Sequence, residues 1–354
     1  SRSSINNRYG SLKRIDPTGG SGNFSLILSG YDTLTKKTVA LKFYDPIKQS
    51  DAYRLSCFER ESAILLKLRG EQNVLQVIEG ASTFQYHSVD PATGLTLPIP
   101  FRFIVTELAT SSVSDYIYGG KKENALKHLE CFRAICKGLR RIHSKGICHR
   151  DLKPDNCLVM PDRDVVISDF GTAKTLDGSV QSPAVFYQGP VGDLRYTAPE
   201  LLGGLDFDNQ FFCAADMYSL GVILFEIFTK TPLNLYLLST DEIQAKLIIP
   251  FSMISKRQRQ QVFNGVIGDL SSNYPLPDIA TCAPNKTIPA CIRERLNRLY
   301  KDLATLDYRK RLQSFDSVIN QINLMTITLR KQMVQERLLA YKQFLRLKKS
   351  QQPA

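Results

Sequence analysis

Tryptophan is absent from the 354 residues, and histidine and methionine are scarce, at four and five. No stretch of about 20 uncharged apolar residues, the length a membrane-crossing helix needs, occurs. The best candidate, Met217 to Phe228, is short and carries Glu226, so it reads as a buried core helix. The eight cysteines (Cys57, Cys131, Cys136, Cys148, Cys157, Cys213, Cys282 and Cys291) include no Cys-x-x-Cys pair, which argues against a zinc site. Most lie in apolar runs and read as small buried hydrophobes. Their even number leaves disulfides open, Cys282 with Cys291 first. The opening Ser1 to Asn7 holds no apolar signal-peptide core, so reduced thiols and a cytoplasmic setting are the expectation. No internal repeat is present.

Acidic residues are also in short supply, 34 against 46 basic, for a net charge of +12. The deficit is local. From Thr326 onward Arg330, Lys331, Arg337, Lys342, Arg346, Lys348 and Lys349 face Glu336 alone, which accounts for half of the excess. Composition is otherwise that of a globular chain, 43% hydrophobic and 23% charged. The length suffices for a large core and two lobes.

Strand signals come first. Phe24 to Gly30 alternates, a polar turn Asp32 to Lys37 follows, and Val39 to Phe43 returns. Residues 51–69 carry apolar residues at helical spacing (Phe58, Ala63, Ile64, Leu65, Leu68). Two more strands, Val74 to Phe84 and Phe101 to Thr106, are joined by Gln85 to Pro100, which reads as a long exposed hairpin loop. After Ser112 the pattern becomes helical: 124–144, 214–229, 240–263, 288–304 and 316–349, with Gly268 to Pro289 irregular.

Chemistry concentrates in Cys148-His149-Arg150-Asp151-Leu152-Lys153-Pro154-Asp155-Asn156 and, thirteen positions later, Asp169-Phe170-Gly171. One carboxylate to accept a hydroxyl proton, one lysine to offset phosphate charge, and an Asn and an Asp to hold metal make up a phosphoryl-transfer set. Each residue alone has a structural reading, Asp151 and Asp155-Asn156 as turn formers. Together in one nonapeptide they favour the chemical one.

These motifs, with Gly20-Ser21-Gly22-Asn23-Phe24-Ser25, Val39-Ala40-Leu41-Lys42 and Ala198-Pro199-Glu200, resemble those of the eukaryotic-type protein kinases in order and distance, over roughly residues 8–322. The resemblance implies an α+β, two-lobed fold. Residues 8–108 would form a small lobe of antiparallel sheet plus one helix, and 109–322 a mainly helical large lobe with an elongated 231–293 segment. A basic helical tail, 323–354, would follow. It implies a serine/threonine protein kinase using ATP and Mg2+ on protein substrates, Lys153 being the Ser/Thr-type residue. Asp151 would be the general base, Lys153 a γ-phosphate contact, and Asn156 and Asp169 the metal ligands. Gly20 and Gly22 would approach the phosphates. Lys42 would bind the α and β phosphates, paired with Glu61 rather than Glu59. Ile27, Ala40 and Leu158 would sandwich adenine, and backbone groups of Glu107 and Ala109 would hydrogen-bond it behind Thr106. Leu65, His149 and Phe170 would stack as an internal spine. Glu200 would pair with Arg311, and Asp216 would brace the catalytic loop.

Four departures mark this chain. Ser25 stands at the third glycine. Tyr218 replaces the usual tryptophan. Asp193 stands where the Ser/Thr kinases carry threonine, and three expectations stay open: pairing with Lys153, repulsion of Asp151, or a change in which substrates fit. Gly189 occupies the usual phosphorylated position near the basic pocket of Arg150 and Lys174, leaving Ser179, Ser182 and Tyr187 as nearby hydroxyls. The rival readings are a pseudokinase or nucleotide-binding scaffold and a small-molecule phosphotransferase. A regulatory partner through 231–293 or the tail is one expectation, a plain surface elaboration the other. Membrane or nucleic-acid contact by the tail is the minority reading, against packing on the body or continuation into a further domain.

Overall fold

The computed structural model of the chain describes residues 4–15, 25–45, 51–90, 92–120, 124–162, 164–180, 192–205, 209–237, 241, 244–284 and 288–350. Strands β1 (Tyr9–Arg14), β2 (Ser25–Asp32), β3 (Lys37–Tyr44), β4 (Val77–Val89) and β5 (Thr96–Glu107) form an antiparallel sheet in the order β1-β2-β3-β5-β4. Alternation along β3 sends Val39, Leu41 and Phe43 to one face, where they pack with Tyr9, Phe103 and Val105. Ala40 and Lys42 take the other. A one-residue slip would bury Lys42 among aromatics, so the register is tightly specified.

The β4–β5 connection differs from expectation. Pairing continues from Phe84↔Phe101 through Val89↔Thr96, so the expected loop is mostly ladder. Tyr86, Val89 and Ile99 supply β-formers to this stretch. Pro98 and Pro100 are accommodated because the β3–β5 ladder stops at Phe43↔Phe103, leaving β4 as the neighbour of β5 beyond that point among the described residues.

Helix α1 (Ala52–Lys67) starts at Asp51, whose side chain accepts the Arg54 amide, and buries Phe58, Glu61, Ile64 and Leu65. Beyond β5 come β6 (Ser111–Ser112), α2 (Val113–Tyr118), α3 (Ala125–Ser144), β7 (Ile147–Cys148), β8 (Cys157–Val159), β9 (Val165–Ile167) and β10 (Lys174–Thr175). Strands β6, β8 and β9 make a small antiparallel sheet and β7 pairs β10, which brings both chemical motifs to one edge of the helical lobe. Then follow α4 (Pro199–Leu202), α5 (Asn209–Thr229), α6 (Asn234–Leu237), a π-helical stretch Gln244–Ile248, α7 (Ile249–Ser252), α8 (Lys256–Asn273), α9 (Ile279–Cys282), α10 (Ala290–Ala304) and α11 (Phe315–Ser350). The helix expected over 240–263 is thus divided, and the stretch expected to be irregular contains the end of α8 and all of α9. Pro250 sits in the first turn of α7, where its missing N–H costs nothing, and Ser255 in extended backbone starts α8 afresh.

Helix α5 is apolar all round because it is enclosed all round. It is long and apolar enough to cross a membrane by composition, yet 94% of that window is buried within the protein. Gly221 lies where an added Cβ would come within 2.8 Å of Ala304 N, so α5 and α10 touch backbone to backbone there. All eight cysteines are free thiols, Cys282 and Cys291 included. Helix α11 continues unbroken past residue 323, with Val318, Ile322, Met325 and Leu329 buried against the lobe.

Below α5, Glu200 and Arg311 meet with both side chains fully enclosed, at 2.5 and 3.0 Å in a two-pronged pair. Arg311 also donates to the carbonyls of Ala214 and Thr305, and its guanidinium lies 5.1 Å from the Tyr218 ring centre. Tyr218, in the tryptophan position, uses its hydroxyl to reach Asn234 Oδ1 at 2.5 Å. A buried charge stripped of its partner is costly. Arg311→Met is therefore expected to lower unfolding stability by about 3–5 kcal/mol, read by urea denaturation. Adding Glu200→Gln to that variant should restore part of the loss, because no carboxylate then remains unpaired.

Candidate active site

The site begins with Asp216, a carboxylate inside the most apolar helix of the chain and 1% exposed. Its Oδ1 accepts the Arg150 amide at 2.8 Å, and its Oδ2 accepts the His149 amide at 2.7 Å and faces His143 Nε2 at 2.8 Å. Burial disfavours its charge, but His143 and the amides outweigh that and hold its pKa below the usual carboxylate value. Arg150 has φ 68°, a left-handed conformation unusual for a side chain of its size, and Asp216 holds it there. The bend turns Asp151 to Asn156 toward the small lobe.

Within that loop Lys153 Nζ lies 3.2 Å from Asp151 Oδ2. Asn156 Nδ2 donates to Asp151 O at 2.8 Å and to its Oδ2 at 3.2 Å, which leaves the amide oxygen as the acceptor end. Burial pushes the Asp151 carboxyl up, with Lys153 pulling against it. Asp169 follows β9 with φ 62° and a side chain that is half exposed. Phe170 beside it is fully buried and lies 5.2 Å from the His149 ring, in one core with Leu65. His149 Nε2 meets the Ser168 carbonyl at 2.9 Å.

From the other lobe Lys42 Nζ reaches Glu61 Oε2 at 2.6 Å and Asp169 Oδ1 at 3.5 Å. Burial opposes the ammonium charge, yet Asp169 and Glu61 together raise the Lys42 pKa. Lys42 in turn lowers that of Asp169. Glu59 is engaged elsewhere, with Arg102. Lys42 is thus in contact with Glu61 and not with Glu59.

The remaining expected residues distribute as follows. Ile27 lies on β2 directly across from Lys42, 42% exposed. Ala40 is buried on β3, and Leu158 is partly buried on β8. The Glu107 amide donates to Gln76 O at 3.0 Å, and the Thr106 hydroxyl donates to Glu107 O at 3.2 Å. Ala109 follows, partly buried against the large core. Gly20 and Gly22 lie outside the described residues, as do Ser182, Tyr187 and Gly189.

Asp193 pairs with Lys153, as one alternative expected, but only at the limit of an ion pair, because Arg195 holds it more closely. Its carboxylate is held by Arg195 through Nε at 3.0 Å and Nη2 at 2.7 Å, and stands 4.0 Å from Lys153 Nζ. Burial would raise its pKa, but the Arg195 bonds bring it below the usual value. Its backbone amide donates to Asp151 Oδ1 at 2.9 Å. That bond requires Gly192, at φ 98°, where an added Cβ would sit 2.9 Å from Arg150 O and 3.1 Å from Asp151 Oδ1.

Reading the sequence missed Arg195, although Asp-x-Arg at this spacing is a local turn pair that could have signalled it. It also missed Arg60, buried on α1 and donating to Gly171 O at 2.8 Å, which ties that helix to the Asp169-Phe170-Gly171 turn. No sequence signal separates Arg60 from a surface arginine. Lys67, on the same helix, meets Ser179 Oγ at 2.5 Å. Buried Glu226 receives the hydroxyls of Tyr118 at 2.5 Å and Tyr196 at 3.1 Å.

Comparison with known proteins agrees with this arrangement. Residues 15–322 match the protein kinase domain family. Mitogen-activated protein kinase 16 of Arabidopsis thaliana is 30% identical over 63% of this chain and 37% of its own length. Mitogen-activated protein kinase mpkC of Aspergillus terreus is 30% identical over 64% of this chain and 53% of its own. A serine/threonine-protein kinase of Debaryomyces hansenii is 26% identical over 84% of this chain and 49% of its own. The chain thus spans about half the length of these relatives, or less. With a five-stranded antiparallel sheet over a mainly helical lobe and the loop motifs at their junction, the chain belongs to the protein kinase family.

Proposed function

We propose that this kinase transfers the γ-phosphate of ATP to serine or threonine hydroxyls of protein substrates. One observation carries the reading. Lys42, Glu61 and Asp169 form a connected charge relay across the two lobes, while Asp151 and Lys153 are paired beside it. A scaffold that had lost transfer chemistry would have no reason to keep both the Lys42–Glu61–Asp169 cluster and the Asp151–Lys153 pair.

Asp151 accepts or orients the hydroxyl proton. Its Oδ1 is fixed by the Asp193 amide and its Oδ2 lies near Lys153 and Asn156, so the carboxylate has a defined orientation before a substrate arrives. Lys153 offsets charge on the transferring phosphoryl group. Asp193 does not silence it, since Arg195 takes the carboxylate's two-pronged bond and leaves a 4.0 Å approach to Lys153. Lys42 binds the nucleotide phosphates. The Glu107 carbonyl and the Ala109 backbone take adenine between Ile27, Ala40 and Leu158, with Gly20 and Gly22 assigned to the phosphates on sequence alone.

The half-exposed Asp169 carboxylate and the Asn156 amide oxygen are hard oxygen donors that fit Mg2+. When bound, the cation supplies neutralisation of phosphate charge.

Asp151→Asn keeps the size of the side chain and removes the base. Its kcat should fall by about 10²–10⁴-fold, with nucleotide affinity kept, measured by radiolabelled phosphate transfer to a mixed Ser/Thr peptide library. Because burial raises the Asp151 pKa, the acid limb of wild-type activity should have its midpoint above 3.8, the ordinary value, with activity falling as the carboxylate takes up a proton. A midpoint at or below that value would argue against Asp151 as the titrating group.

Lys42→Met leaves Glu61 buried without its cation. Burial already raises the Glu61 pKa, and losing Lys42 raises it further. A carboxyl raised on folding contributes stability at low pH that is lost as pH climbs through its folded value. Lys42→Met should therefore lose about 1–3 kcal/mol against wild type at neutral pH, and the gap should narrow on acidification, followed by denaturant titrations across pH. A gap independent of pH would mean that Glu61 is not the titrating group.

A further inference from the structure

Helix α11 is apolar on two opposite sides. One side, Val318, Ile322, Met325 and Leu329, is buried against the large lobe. On the other, Leu324, Ile327, Val334, Leu338, Tyr341 and Leu345 are each 40–60% exposed. With Lys331 they recur at alternating steps of three and four residues over 324–345, the a and d positions of a coiled-coil seam. At 3.6 residues per turn the two stripes lie about half a turn apart, so packing on the lobe leaves the second fully presented. The a/d pattern holds over seven successive positions, and Leu339 and Phe344, each 60% exposed, flank it toward its C-terminal end.

Charge selects the occupant. Arg337 and Lys342 fall at the flanking g and e positions, and Lys331 takes one a position. A parallel copy of the same helix would set Lys331 against Lys331 and Arg337 against Lys342, and an antiparallel copy would again bring basic flanks together. The acidic residue of the tail, Glu336, points away from the seam, where Gln332 bonds it at 2.8 Å. Arg330, at another g position, turns instead to Glu130 of α3 at 3.3 Å.

We propose that residues 324–345 pair with an acidic amphipathic helix of a second protein, forming a two-stranded coiled coil along the outer face of the kinase. The partner's seam is aliphatic, its flanks are Glu or Asp, and an acidic residue faces Lys331. Such pairing attaches a regulator or substrate without touching the active site.

The test uses the full chain and a fluorescent synthetic peptide of about three heptads, with Ile and Leu in the seam, Glu at the flanks and one Glu opposite Lys331. Anisotropy should show binding, and a twin peptide with Lys at the flanks should bind at least about tenfold more weakly. Leu338→Asp with Tyr341→Asp should abolish binding while melting temperature and kinase activity stay unchanged, since both side chains are exposed. Arg337→Glu with Lys342→Glu should reverse the preference between the two peptides. Equal binding of both peptides would overturn the proposal, as would unchanged binding by the double Asp variant. So would a wild-type dimer in sedimentation that the double Asp variant dissolves, or capture by phosphatidylserine vesicles in place of the peptide.

Discussion

A single buried carboxylate, Asp216, sets the geometry on which the catalytic centre depends. It lies in a helix whose side chains, Glu226 apart, are mostly apolar and buried, so it must be satisfied where it stands. It takes three donors, two of them amides of consecutive residues in the catalytic loop. Those amides lie in backbone that Arg150 would not adopt unaided, at φ 68°. The cost of burying the carboxylate and the cost of bending the loop are thus offset by the same bonds. From that anchor the loop projects Asp151, Lys153 and Asn156 at fixed separations, and the His149 ring seats Phe170 beneath Asp169.

The second constraint is that half of the site comes from the other lobe. Lys42 is placed by strand register, Glu61 by the face of α1, and Asp169 by the turn after β9. Each is positioned by a different element, and the three meet because opposite charges removed from water must. Arg60 reinforces this, joining α1 to Gly171. Any movement of α1 away from the sheet would break the Lys42 pair and the Arg60 bond together, so the Lys42–Glu61 pair and the Asp169-Phe170-Gly171 turn are mechanically linked.

Much of the candidate site could be proposed from the sequence because its signals are local. The nonapeptide 148–156 and Asp169-Phe170-Gly171 carry their chemistry in order along the chain, and the nineteen-residue step from Lys42 to Glu61 is a spacing that a strand and a helix reproduce. The β4–β5 hairpin was less legible, because Pro98 and Pro100 look like loop formers until the partner strand is known. Asp193 was ambiguous for a similar reason. A carboxylate near Lys153 and Asp151 could attract or repel, and the answer lies in Arg195, whose guanidinium satisfies it from the outside.

Hydrophobic patterning located most of the strands and helices, and the motif residues, by their resemblance to the protein kinases, pointed to the fold class, the family and the residues with chemical character, because periodicity and functional-group identity are written one residue at a time. Tertiary structure alone decided that Glu59 belongs to Arg102, that the Glu107 amide is bound to Gln76, that the Asp193 amide bonds Asp151 while its carboxylate is held by Arg195 and Lys153, and that α11 is apolar on two sides with one of them covered. These are choices among partners far apart in sequence, and such a choice exists only once packing has fixed which groups share a neighbourhood and which are left to water.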